Sequence, residues 1–145
     1  MKYCIYLFVG LSLLALGACQ QHGASEQDEL LKDIMADHDS IMPRVGVFVR
    51  YNMALDSVLD QLPAQKLANP TLDTTAKRTK LLAIKSALES ATDSMNEWMA
   101  NFEPDQSEKT AQEAKDYLEA EKGKLEKMKV AFKNVDSLLL ANPLR

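Results

Sequence analysis

Apolar residues recur along this chain every three or four positions, and no segment shows the alternation of a strand or a hairpin turn. The period is helical and follows a heptad with few lapses. It predicts a first helix from about Glu26 to Leu62, with Ser25 as a plausible N-cap. Its inward positions read Leu31, Ile34, His38, Ile41, Val45, Phe48, Asn52, Leu55, Leu59 and Leu62. Pro43 removes a backbone donor in mid-helix and clashes with the preceding turn, which predicts a kink or break near Met42. Pro63 and Asn69-Pro70 mark a loop to about Asp73.

A second helix is predicted from about Thr74 to Phe102, with Leu81, Ile84, Leu88, Ala91, Met95, Trp98 and Phe102 facing inward. Glu103-Pro104-Asp105 stops it. Asp105 or Ser107 then caps a third helix, which runs to about Ala141 through Ala111, Ala114, Leu118, Glu121, Leu125, Met128, Phe132, Val135 and Leu139. Short connections make consecutive helices antiparallel. The fold expected is an all-α, up-down-up three-helix bundle with coiled-coil-like seams. Such seams also leave open a dimer that completes a larger bundle.

The amino-terminal stretch breaks this pattern. Lys2 precedes an apolar run from Ile5 to Leu16, and Leu16-Gly17-Ala18 leads into Cys19. That is the layout of a secretory signal. The run is shorter than the roughly 20 apolar residues of a membrane-spanning helix, and a cysteine directly after small residues is the mark of a bacterial lipoprotein signal. Residues 1–18 are therefore read as signal peptide, 19–26 as lipidated Cys19 with a polar tether, and 27–145 as the bundle. Two or more acyl chains on one residue anchor stably. Gln20, in a place where lipoproteins held in the inner membrane typically carry Asp, favours the outer membrane, facing the periplasm.

Charge and cysteine usage narrow the function classes. Removal of residues 1–18 takes Lys2 and no acid from 17 basic and 21 acidic residues, leaving a net charge of −5. An acidic chain argues against nucleic acid as a partner. Cys4 leaves with the signal and Cys19 is acylated, so no thiol remains for a disulfide or a nucleophile. Neither GxSxG, HExxH, a Walker loop nor GxGxxG is present. The Glu-x-x-His pairs of carboxylate di-metal bundles and the CxxCH of attached haem are likewise missing. The expectation is a non-enzyme.

Three inward positions hold polar side chains: His38, Asn52 and Glu121. Burying them costs free energy unless each finds a partner. Folding the helices about the expected loops puts Asn52 and Glu121 in one layer, as a register-fixing structural pair. Another layer collects His38 and Met42, four apart on the first helix, with Met95 and Met99, four apart on the second, and Trp98 between the latter. Imidazole and thioethers select Cu(I) or Ag(I), and an indole beside a bound cation adds attraction. The competing reading is that these methionines are gap-fillers in a core. No cofactor is required by the sequence.

The segments His38-Asp39-Ser40-Ile41-Met42-Pro43-Arg44-Val45-Gly46, Met95-Asn96-Glu97-Trp98-Met99-Ala100-Asn101-Phe102 and Tyr117-Leu118-Glu119-Ala120-Glu121-Lys122-Gly123-Lys124 resemble short helical lipoproteins of Gram-negative bacteria, often labelled "viral A-type inclusion protein". The resemblance covers nearly all of the chain after the signal. It implies a lipoprotein localisation and an all-helical fold, and carries no catalytic residues over. That family often has two methionines before the tryptophan, where this chain has Ser94-Met95. Taken together, the residues and the resemblance lead to an envelope lipoprotein that binds a protein partner, with a Cu(I)-handling protein as the alternative.

Overall fold

The computed structural model describes the backbone of residues 15–144 and the side chains of residues 26–144. The signal segment 1–14 lies outside the described residues, as do the side chains of residues 15–25, Cys19 among them. Three helices are present and no strand occurs among the described residues: α1 (Ala15–Ala68), α2 (Thr74–Asn101) and α3 (Ala111–Ala141). The chain divides into two compact units. One takes residues up to Asp37 together with Glu103–Lys124, and the other takes His38–Phe102 together with Leu125–Arg145.

Helix positions agree with the heptad reading more closely than helix ends do. The buried apolar side chains are Ile34, Ile41, Phe48, Leu55, Leu59 and Leu62 on α1, six residues from Leu81 to Trp98 on α2, and Ala114, Leu118, Leu125, Phe132, Val135 and Leu139 on α3. Every one of them is a seam position. Seven expected seam positions are less buried: Leu31, His38, Val45, Asn52, Phe102 and Met128 are half-buried, and Ala111 is exposed.

The expected break at Met42 does not occur, because α1 runs without interruption through both Pro43 and Pro63. A proline inside a helix costs about 3 kcal/mol. Pro43 and Pro63 are themselves exposed, whereas Ile41, Phe48, Leu59 and Leu62 around them are buried, so apolar packing on the inner face offsets the lost backbone bonds. The backbone of residues 15–25 is also helical, so Ser25 lies inside α1 rather than capping it, and the polar stretch after Cys19 is helix rather than an irregular tether.

The first loop is correspondingly shorter than expected, covering residues 69–73. Lys66 Nζ donates to the carbonyls of Pro70 and Leu72 at 2.7 and 2.8 Å, and Asn69 Oδ1 accepts from the Thr71 amide. Asp73 caps α2, its Oδ1 accepting from the amides of Thr75 and Ala76. At the start of α3 the cap is Thr110, not Asp105 or Ser107. Thr110 and Glu113 form a reciprocal capping box: the Thr110 amide donates to Glu113 Oε2 at 2.9 Å, and the Glu113 amide donates to Thr110 Oγ1 at 3.3 Å. Donation from the Thr110 hydroxyl at 2.7 Å, and then from its amide, holds the Glu113 carboxyl below its ordinary range. Asp105 is used instead in a turn, accepting from the Ser107 amide.

In the first unit α1 and α3 run parallel. Lys115 bonds Glu26 and Lys122 bonds Asp33, each pair 89 residues apart. Ile34, Ala114 and Leu118 are buried in this unit, with the carboxylate of Glu121 bonded to Lys124 at 2.6 Å. The second unit contains lengths of all three helices. Here Arg44 pairs with Asp136, and Tyr51 donates to the Asn142 carbonyl, again at a near-constant separation of 92 and 91 residues. Phe48 and Phe132 stack with centroids 5.0 Å apart. Helix α2 runs antiparallel to α1: Lys85 bonds Asp56, and Asn52 bonds Glu89.

Candidate functional site

His38 is the one histidine whose side chain is described, and it lies in the second unit at the α1–α2 face. Its two ring nitrogens have different partners. Nδ1 is 3.0 Å from Asp39 Oδ1, and Nε2 is 3.4 Å from Met99 Sδ. The Trp98 ring lies 5.8 Å from the imidazole, tilted by 32°, and stacks in turn on Phe102 at 4.7 Å. Antiparallel packing of α2 on α1 is what brings positions 38 and 99 together.

Of the expected cluster, then, His38, Met99 and Trp98 converge. Met95 is 0% exposed on the seam, with the core packing role that a buried thioether usually has. Met99, one turn further, is 38% exposed and reaches the rim where the imidazole sits. Met42 is half-buried, and the partners of the two ring nitrogens are Asp39 and Met99. Among the described residues no group of three or more His, Cys, Asp or Glu side chains is placed to hold a metal ion. The donor set at His38 is one nitrogen and one sulfur.

The expected Asn52–Glu121 pair is replaced. Asn52 Nδ2 donates to Glu89 Oε1 at 3.3 Å, and Glu121 accepts from Lys124. Two displacements separate them: residues 102–110 are not helical and α3 begins beside Gln27, so Glu121 falls in the first unit next to the Lys122–Asp33 bond, and α1 is longer than expected. The helix continues six residues past Leu62 and turns back around Pro70–Thr71, so Asn52 comes opposite Glu89 rather than Ile84. Glu89 also receives Lys85 at 3.3 Å, and Lys85 bonds Asp56 at 2.6 Å. The Asp56 bond, joined by Glu89, raises the Lys85 ammonium above its ordinary range. Asn52 Oδ1 is buried with no partner.

A second feature was not singled out from sequence. An open groove of about 900 Å³ lies between α1 and the end of α3 in the second unit, lined by Val47, Tyr51, Leu139, Leu140, Pro143 and Leu144, with Arg44 and Arg50 beside them. Leu140 is 84% exposed. Arg44 is neutralised by Asp136, its guanidinium 5.5 Å from the Phe48 ring centroid, and its Nε is buried without an acceptor. Arg50 makes no ion pair among the described residues. The available signal was a second apolar stripe at Val47, Tyr51 and Ala54, one residue behind the seam at Phe48, Asn52 and Leu55.

No helix among the described residues is long and apolar enough to cross a membrane. Comparison with family models, with curated proteins and with solved structures returns no match.

Proposed function

We propose that this protein is a non-enzymatic lipoprotein of the bacterial envelope, tethered through acylated Cys19, whose helical bundle binds a periplasmic segment of another envelope protein. The anchor rests on Leu16-Gly17-Ala18-Cys19 and on the resemblance to short helical lipoproteins. Gln20 favours the outer membrane.

The observation that carries the binding reading is the groove beside Arg50. Its floor and rim expose aliphatic side chains, Leu140 above all, next to a guanidinium with no carboxylate of its own. In a chain with a net charge of −4, an unneutralised arginine beside apolar surface is complementary to one occupant class: an amphipathic helix or peptide with an acidic residue at the edge of its apolar face. The lipid fixes the bundle at the membrane surface, where such a segment would be met.

The anchor is tested by metabolic labelling with a palmitate analogue and by membrane fractionation. Cys19→Ala should lose label and membrane association, and a variant that keeps both ends the lipoprotein reading. The groove is tested with a photo-crosslinking residue at Leu140, and with one at the exposed Leu82 as control, in full-length protein expressed in its own envelope. An adduct of one mass at 140, absent at 82 and lost in Arg50→Glu, supports the reading. Adducts that are equal at both positions, or indifferent to Arg50, refute it.

A further inference from the structure

The contact between His38 and Met99 contains a conflict that a cation would resolve. A carboxylate only accepts, so the 3.0 Å contact from Nδ1 to Asp39 Oδ1 places the ring hydrogen on Nδ1. In the neutral imidazole Nε2 then presents a lone pair, and it presents it to a thioether sulfur 3.4 Å away, which also carries only lone pairs. Two donors of electron pairs face each other with nothing between them to share.

From this geometry we propose that His38 Nε2 and Met99 Sδ bind a soft monovalent cation, Cu(I). With ligand distances of about 2.0 Å to nitrogen and about 2.3 Å to sulfur, a separation of 3.4 Å corresponds to a ligand–metal–ligand angle of roughly 105°. That angle suits a trigonal or tetrahedral centre with positions left open on the exposed side of Met99. Imidazole with thioether is a set that selects Cu(I), and with no carboxylate in it hard cations are disfavoured. Asp39 is the positioning residue: a ligating imidazole that donates its other N–H to a carboxylate is fixed in tautomer and orientation. The Trp98 centroid, 5.8 Å from the imidazole, puts an aromatic face near the bound charge.

The competing account is that Nε2 carries a hydrogen and donates weakly to sulfur. Full-length protein in detergent micelles, titrated anaerobically with Cu(I) and separately with redox-inert Ag(I), distinguishes the two. Trp98 is the only tryptophan, so its fluorescence reports this site alone. One equivalent of either ion should quench it, and a one-bond nitrogen–proton map of the imidazole should show hydrogen on Nδ1 and the metal on Nε2. His38→Ala and Met99→Leu should each abolish the stoichiometric quench. Asp39→Asn should weaken binding by roughly 10–100-fold. Met35→Leu, at an exposed methionine outside the cluster, should change nothing. Zn(II) at the same concentrations should leave the fluorescence unaltered. Circular dichroism confirms that each variant is folded. The proposal is overturned if no quench accompanies the first equivalent, if the ring hydrogen is on Nε2 and stays there, or if folded His38→Ala and Met99→Leu bind as the parent does.

Discussion

Gly123→Ala should stabilise the protein, and the structure sets the size of the gain. Gly123 lies in the interior of α3, where glycine is less favourable than alanine by about 0.8–1.0 kcal/mol because it gives up more backbone freedom on folding. Whether that gain survives depends on what the new methyl meets. A Cβ built there has no atom within 4 Å, so no steric penalty offsets it. Over roughly 120 ordered residues, an unfolding entropy of about 2.1 cal/mol/K each amounts to ~0.25 kcal/mol/K, and ~0.9 kcal/mol then lifts Tm by about 3–4 °C. The assay is urea unfolding followed by circular dichroism, with the midpoint rising and the slope unchanged. Should the two units melt separately, the gain belongs to the transition of the unit that holds α3 up to Lys124. Gly46→Ala, whose Cβ would meet only the flexible end of Arg50 at 3.5 Å, should behave alike. The two share no neighbour, so their effects should add. A neutral or destabilising Gly123→Ala at constant slope would refute the reasoning, and would mean that something packs on α3 at that position in solution.

Three further outcomes follow from the packing and the caps. Phe48→Ala removes a fully buried ring and its stack on Phe132, and should destabilise by about 3–5 kcal/mol, a large share of a small domain's total, measured by denaturant titration. Thr110→Ala dismantles the capping box and should lower stability by about 1 kcal/mol at neutral pH. The difference should shrink in acid. The bonds from Thr110 lower the folded-state value of Glu113, so its contribution is complete above the ordinary glutamate range, near 4.3, and disappears as pH falls through the lowered folded value. Unfolding of the parent and the variant at pH 7 and pH 3 checks the sign. Asn52→Leu should be neutral or stabilising, because it removes a buried oxygen without a partner and gives up one long bond to an exposed carboxylate; sedimentation of the variant would show whether that asparagine also fixes the oligomeric state.

The inner face of this protein was legible in its sequence because burial follows one heptad period, from Ile34 to Leu62 on α1 and from Ala114 to Leu139 on α3. Helix ends were not. Proline reads locally as a stop, yet Pro63 stays helical, with Leu59 and Leu62 of the same turn buried in the core. The six extra residues moved the turn and brought Glu89 to Asn52, while the non-helical stretch 102–110 left the expected partner Glu121 beside Lys122 and Asp33 in the first unit. Thr110 and Glu113 did carry a capping-box signature, overshadowed by the nearer Asp105 and Ser107. At the candidate site, the spacing of Met95 and Met99 was visible, but which sulfur meets His38 depended on which one the seam consumed. Heptad position gives the core to Met95, and Met99 is left for the rim.

The ion pairs between α1 and α3 also bear on how the chain finds its register. Glu26 and Asp33 are seven residues apart, and so are their partners Lys115 and Lys122, but the series of lysines continues to Lys129. Sliding α3 by one heptad would offer Lys122 to Glu26 and Lys129 to Asp33, so this ladder by itself does not tell one register from the next. Arg44 and Asp136 do: the same slide would put Pro143 where Arg44 now finds its carboxylate. The arginine–aspartate pair, with the Tyr51–Asn142 bond beside it, thus marks one register on an otherwise repetitive track. Asp136→Asn is accordingly expected to add a slow, misregistered phase to refolding while leaving the buried seam unchanged, and refolding with the kinetics of the parent would show that the apolar layers alone choose the register.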